Sequence, residues 1–165
     1  MPNAFRFPLQ LRFSDIDSYE HVNNVAFLSY LETARVRLHE SPSGISTNDG
    51  GQPSVRELAG AENFTLVGRQ EIEYLAPLLF RPEPVYISVW VAGIGRSSFE
   101  LGYVVSEEDE SKTFAVGATT MVLVNRDSGR SVALPGQYRV ALERRRGPEV
   151  PFRRRASQCV GKETT

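Results

Sequence analysis

A chain of 165 residues is the length of one domain, able to bury about 70% of the surface its unfolded form exposes without disulfide or metal staples. A net charge of −1 excludes a field that would draw the whole body to nucleic acid or a membrane surface. One cysteine, Cys159, excludes an internal disulfide framework, and no apolar run approaches the ~18 residues of a membrane span, so the expectation is a cytoplasmic protein.

In chain order, Phe5, Phe7, Leu9, Leu11 and Phe13 alternate with polar residues, and this period of two predicts a strand over 5–13 with Pro8 at an edge. A polar turn, Ser14 to Val22, precedes a helix whose apolar stripe is Phe27, Leu31, Ala34 and Leu38. Asn23 or Asn24 caps its start, and Pro42 and Gly44 place its end near Glu40. Residues 41–53, nearly free of apolar side chains, read as a loop without fixed structure, and 55–60 as a short helical turn.

Four strands follow. In 64–76, Phe64, Leu66, Ile72, Tyr74 and Ala76 are expected on one face, opposite Arg69, Glu71 and Glu73. Residues 85–92 are apolar on both faces, 98–105 turn Phe99, Leu101, Tyr103 and Val105 inward, and 113–125 form the longest run. Glu107 to Ser111 makes a charged hairpin tip, and 134–144 a short C-terminal helix. Segregated helix and strands predict an α+β fold with one long helix wrapped by a curved, mainly antiparallel five-stranded sheet. The apolar face around Tyr86, Trp90, Val104 and Val122 then needs a cover, for which a second subunit, in a homodimer or tetramer, is the simplest. Residues 1–144 form the domain. Residues 143–165 hold seven Lys and Arg against three Glu, a net +4, so 145–165 read as a basic, solvated tail and the rest of the chain carries −5.

Several kinds of machinery are excluded. There is no Gly-x-Ser-x-Gly elbow and no phosphate loop, and Gly93-Ile94-Gly95 leads into a strand instead of a helix. His21, His39 and Cys159 lack the spacing of a metal site, and no cofactor is expected. What remains is Arg12 to Phe27, which places Asp15, Asp17 and His21 just before a helix N-terminus. The unpaired N–H groups and positive dipole end there suit a developing oxyanion, and a carboxylate beside it suits attack on a carbonyl or activation of water. On the residues alone, the alternative is that both aspartates cap turns and His21 bonds to the backbone.

Asp15-Ile16-Asp17-Ser18-Tyr19-Glu20-His21-Val22-Asn23-Asn24, with Phe27 three residues on, resembles the Asp-x-Asp-x-x-Gly-His-Val-Asn-Asn-x-x-Tyr motif of the 4-hydroxybenzoyl-CoA thioesterase-like family, acyl-CoA thioesterases of the hotdog fold. Tyr30 to Arg35, Glu71 to Leu78 and Gly95 to Phe99 resemble its helix and strand signatures, so the likeness spans roughly 6–144. It implies hydrolysis of an acyl-CoA thioester (or an acyl carrier protein thioester), with Asp17 as nucleophile or general base. The Asn24 backbone amide would polarise the carbonyl, with His21 in support. Asp15, Asn23, Phe27 and Arg96 are assigned to the substrate's surroundings, Asp15 and Asn23 also bracing the turn. Two residues depart from the motif: Glu20 stands at the Gly position and Phe27 at the Tyr position. The alternatives are a hotdog hydratase or dehydratase, whose Asp-x-x-x-x-His spacing this chain lacks, and a non-catalytic acyl-thioester-binding protein.

Overall fold

The structure is a computed structural model describing residues 3–46 and 50–153; Cys159 and the end of the basic tail lie outside them. Strand β1 (Phe5–Leu9) is followed by helix α1 (Asn24–Glu40), strands β2 (Asn63–Tyr74), β3 (Val85–Ile94), β4 (Ser98–Ser106) and β5 (Thr113–Asn125), and helix α2 (Gly136–Glu143). The five strands form one sheet in the order β1-β3-β4-β5-β2, every pairing antiparallel.

The helical stripe is buried as its spacing requires: Phe27, Leu31, Ala34 and Leu38 are at most 3% exposed. They share one core with Ile87, Val89, Phe99, Leu101, Tyr103 and Val105 on the inner face of the sheet. Each large side chain so buried contributes roughly 1.5–3 kcal/mol. The helix comes close to β5 because Gly117 has no side chain there. A Cβ at Gly117 would lie 2.8 Å from Leu31 Cδ1 and 3.2 Å from the Glu71 carbonyl.

Four expectations are corrected. β1 stops at Leu9, not at residue 13, because its last pair, Leu9 with Val85, is where β3 begins. Pro82 and Pro84 precede β3 and lack the N–H groups that would extend the ladder. Leu11 still enters the core, whereas Phe13 is 79% exposed.

In β2 a bulge between Val67 and Arg69 inverts the alternation. Thr65 and Val67 oppose Leu123 and Met121 of the core, whereas beyond the bulge Ile72 and Tyr74 oppose Gly117 and Ala115. Phe64 and Leu66 therefore lie on the other face from Ile72 and Tyr74.

The ends of the 41–53 loop are stitched together: Ser43 N–H donates to Pro53 O at 2.9 Å and Val55 N–H to Ser41 O at 3.0 Å. Ser41 and Ser43 are buried.

The part of the outer face around Trp90 is covered by this chain itself, while Tyr86 and Val122 stay half-buried. β1 pairs with β3 only as far as Val89, and residues 145–147 take the free edge beyond it. Val91 N–H donates to Arg145 O at 2.9 Å and Gly147 N–H to Val91 O at 3.0 Å. Trp90 is fully buried against Val150 and Phe152, and its indole N–H donates to Pro148 O at 2.7 Å. The segment expected to begin a solvated tail thus continues the packed domain to Arg153, whose N–H donates to Glu73 Oε2 at 2.9 Å.

Candidate active site

The Asp15–Asn24 stretch is a small hairpin closed onto the N-terminus of α1. Ile16 bridges to Val22, Asp17 N–H donates to His21 O at 2.8 Å, and Glu20 N–H donates to Asp17 O at 3.1 Å. Glu20 has φ +64°, so the three-residue loop 18–20 is a turn followed by a left-handed residue. Such a position favours glycine, which is what the resembled motif carries there. Glu20 occupies it here with the hairpin bonds from Asp17 and Glu20 N–H in place. The far side is fixed by Val22 N–H donating to Leu78 O at 2.8 Å and by a bridge from His21 to Leu79 in the segment after β2.

This scaffold aims one carboxylate outward and buries the other. Asp17 Oδ1 accepts from Tyr19 N–H at 2.8 Å and His21 N–H at 3.3 Å, while Oδ2 has no hydrogen-bond partner among the described residues. Asp15 is 6% exposed and held from several sides. Tyr30 Oη donates to its Oδ2 at 2.7 Å, Arg12 pairs with its Oδ1 at 3.1 Å, and its backbone carbonyl accepts from Asn23 N–H at 2.8 Å. Burial pushes the Asp15 carboxyl up, but the bonds from Tyr30 and Arg12 together outweigh it and hold the group below its ordinary value. The same burial and the bond to Asp15 raise the Tyr30 phenol well above its ordinary value.

Asn23 is the N-cap of α1, its Oδ1 accepting from Val25 N–H at 2.9 Å. That bond, together with Ala26 N–H to Asn23 O at 2.9 Å, leaves the Asn24 N–H as the helix-end amide without an acceptor among the described residues. It stands at the positive end of a 17-residue helix.

Asp17, His21, Asn24 and Phe27 line one cleft of about 300 Å³ with Tyr74 and the 75–78 segment. Of the residues expected around the substrate, Phe27 forms part of its wall, with its ring edge-on to Tyr74 at 5.5 Å. Asp15 and Asn23 do not line it and are committed to bracing the hairpin and capping the helix. Arg96 is not brought to it. Its neighbour Ser98 pairs with Val122, while Tyr74 pairs with Ala115, seven residues away along β5 and so about 23 Å at 3.3 Å per residue. Among the described residues no group of three or more His, Cys, Asp or Glu is arranged to hold a metal ion.

Tyr74 and Tyr30 are site residues that sequence reasoning did not single out. Tyr74 Oη donates to Asn24 O at 3.0 Å, pinning β2 to the first turn of the helix. Tyr74 read as an apolar-face residue of its strand, and Tyr30 only as part of the helix signature. The signal that marks them is the hydroxyl on an otherwise apolar stripe, which needs a partner once buried.

Residues 11–144 match the thioesterase-like superfamily. A curated relative, the uncharacterized protein YsmA of Bacillus subtilis, is 28% identical over 139 residues, spanning 84% of this chain and 85% of YsmA. The PA5185 protein of Pseudomonas aeruginosa superposes with a TM-score of 0.71 at 28% identity, covering 90% of this chain and 96% of that one. A thioesterase of Thermus thermophilus, solved with coenzyme A and zinc, is 31% identical with a TM-score of 0.62, covering 83% and 95%. The sheet order, the helix it wraps and the matched residues agree, and the chain belongs to the thioesterase-like superfamily with the hotdog fold.

Proposed function

We propose that this protein hydrolyses acyl-CoA thioesters to the free acid and CoA, with Asp17 as the reacting carboxylate and the Asn24 N–H as the oxyanion donor. The observation that carries the reading is the shared cleft, which holds an aspartate oxygen without a partner and a helix-terminal amide without an acceptor among the described residues. CoA as the thiol half is supported by the coenzyme A bound in the Thermus relative.

A thioester is activated already, so the chemistry needs little beyond these two groups. The carbonyl oxygen accepts from Asn24 N–H, where the helix end stabilises the negative charge that develops on it. Asp17 Oδ2 either bonds to the acyl carbon, expelling the thiolate and leaving an anhydride that water cleaves, or takes a proton from water as that water's oxygen bonds to the carbon. In the second case the proton passes to the departing sulfur. Both roles use the same oxygen. Oδ1 is held by the Tyr19 and His21 amides, which fix the direction in which Oδ2 points. His21 supports the carboxylate through its backbone, and the Tyr74 bond to Asn24 O keeps the donating amide in place.

The test is Asp17→Asn, which keeps the side-chain shape and the Oδ1 acceptor. The expected outcome is a fall in kcat of about 10²–10⁴-fold, with the melting temperature nearly unchanged. Near-parental kcat on a good acyl-CoA would overturn the assignment.

A further inference from the structure

Two arginine clusters lie in the C-terminal part of the chain, and the fold treats them differently. Arg144, Arg145 and Arg146 are committed to packing. Arg144 bonds to Gly44 O, Arg145 Nη2 donates to Ser41 Oγ at 3.1 Å, and Arg146 pairs with Glu143 at 3.3 Å. The second cluster begins at Arg153, the last of the described residues, and Arg154 and Arg155 follow it in the sequence. The Arg153 side chain is 69% exposed, and its contact with Glu73, Nε to Oε1, is loose at 3.9 Å.

Packing carries this second cluster to the back of the candidate active site. Leu75 lines the Asp17 cleft and also packs against the cluster of Trp90, Val150 and Phe152. Arg153, the residue after Phe152, is held by its backbone N–H to Glu73 Oε2 at 2.9 Å. Glu73 is followed by Tyr74, the cleft residue that ends β2. Successive strand residues point to opposite faces, so Glu73 holds Arg153 on one face while Tyr74, about 3.8 Å on along the backbone, serves the cleft on the other. The cleft itself supplies no cation, since its described lining residues include neither Lys nor Arg. Residues 1–142 carry a net −5, which disfavours a phosphate-rich ligand, whereas 143–165 carry +4. A cleft of about 300 Å³ is also too small for a whole acyl-CoA, so the nucleotide and its phosphates have to lie outside it.

We infer that the arginine run beginning at Arg153 receives the phosphates of the CoA nucleotide. This rests on the thioesterase reading and adds the element that favours a nucleotide-bearing thioester over one without a nucleotide. Guanidinium groups suit the task, because their forked N–H donors match phosphate oxygens and keep their charge throughout the physiological pH range. Val150 and Phe152 anchor the segment and so fix where the run starts, and the exposure of Arg153 leaves its side chain open to a ligand.

The experiment measures kcat and KM for one acyl group carried by CoA, by 3′-dephospho-CoA and by pantetheine. It uses the full chain and the triple variant Arg153→Gln, Arg154→Gln, Arg155→Gln. The variant is expected to raise the KM of the CoA thioester about tenfold, the worth of one charge-assisted bond, with kcat unchanged, as loss of uniform binding requires. The KM of the pantetheine thioester, which carries no phosphate, should stay at the parental value. The dephospho-CoA arm shows whether the 3′-phosphate or the diphosphate is taken, and either result supports the inference. Added salt should raise the parental KM for the CoA thioester and barely move that of the variant. An unchanged KM for the CoA thioester in the variant, or an equal rise for all three thioesters, would overturn the inference while leaving the thioesterase reading intact. Should the triple variant melt below the parent, the pair Arg154→Gln and Arg155→Gln, which keeps the Arg153 contact with Glu73, is judged by the same criteria. Absence of turnover on every thioester would instead overturn that reading. Calorimetric binding of CoA against pantetheine then decides the inference. Tighter binding of CoA that is lost in the variant supports it, and equal binding overturns it.

Discussion

Two aspartates two residues apart are held in opposite ways, and the difference lies in what surrounds each oxygen. Asp17 presents Oδ2 to a cleft, whereas both oxygens of Asp15 are taken, one by Arg12 and the other chiefly by Tyr30. Because the Asp15 carboxyl titrates below its ordinary value of 3.8, the unfolded chain binds a proton more readily there than the folded one. Its contribution is therefore present above about pH 4 and is lost as pH falls through the folded-state value. Tyr30→Phe removes a buried donor to a charged acceptor, and it should cost about 1.5–3 kcal/mol near neutral pH. It should also flatten the loss of melting temperature between about pH 5 and pH 3, since the folded carboxyl then titrates closer to the unfolded one. Melting curves of parent and variant across that range check both points, and parallel profiles would contradict this account. Glu20 shows how far one residue can depart from a motif: the left-handed turn survives at φ +64° without glycine, because the Asp17–His21 bonds on either side dictate the backbone.

At the scale of elements, the packing of α1 on the sheet depends on one missing side chain. Gly117→Ala would set a methyl group 2.8 Å from Leu31 Cδ1, with the Glu71 carbonyl 3.2 Å away on the other side. Leu31 is 1% exposed, so any retreat of its side chain takes place within the packed core. The expected cost is about 1–3 kcal/mol, read from urea unfolding with an unchanged m-value. A Gly117→Ala protein as stable as the parent would show that the helix can shift outward without penalty. Trp90 relies on the same device, since a Cβ at Gly102 would lie 2.6 Å from its ring. The indole fits closely against Gly102 and Gly147, where any Cβ would lie within 2.6 Å of its ring.

For the whole molecule, the expected second subunit has to be placed differently. The face around Trp90 is closed by residues 145–153 of the same chain, so it offers little to a partner. What stays open is β2, an edge strand of 12 residues whose middle, 66–70, is exposed. An exposed edge strand is a template for pairing, and an identical antiparallel β2 is the simplest partner. Light scattering is expected to give a dimer, twice the 18.4 kDa of one chain. Replacing Val67 by Pro, which removes one edge donor, should shift the species toward monomer. A parent that is monomeric at micromolar concentration would contradict this arrangement.

The sequence by itself determined the elements that depend on local periodicity and punctuation. The α1 stripe, its stop before Pro42 and the inward set of β4 are present as read, and of the two asparagines offered as cap the structure takes Asn23, because side-chain spacing and capping chemistry act within a few residues. The motif around Asp17 was legible for the same reason, being a ten-residue hairpin and helix cap complete in themselves. Tertiary structure alone decided the rest. Whether β1 continued past Leu9 depended on a partner strand 76 residues away, Val85 being the last residue able to pair with it. The bulge that inverts β2 shows only in its register against β5. Closure of the Trp90 face by the C-terminal segment joins residues from separate elements. Their juxtaposition is a product of the folded sheet's geometry, which no local pattern in the chain encodes.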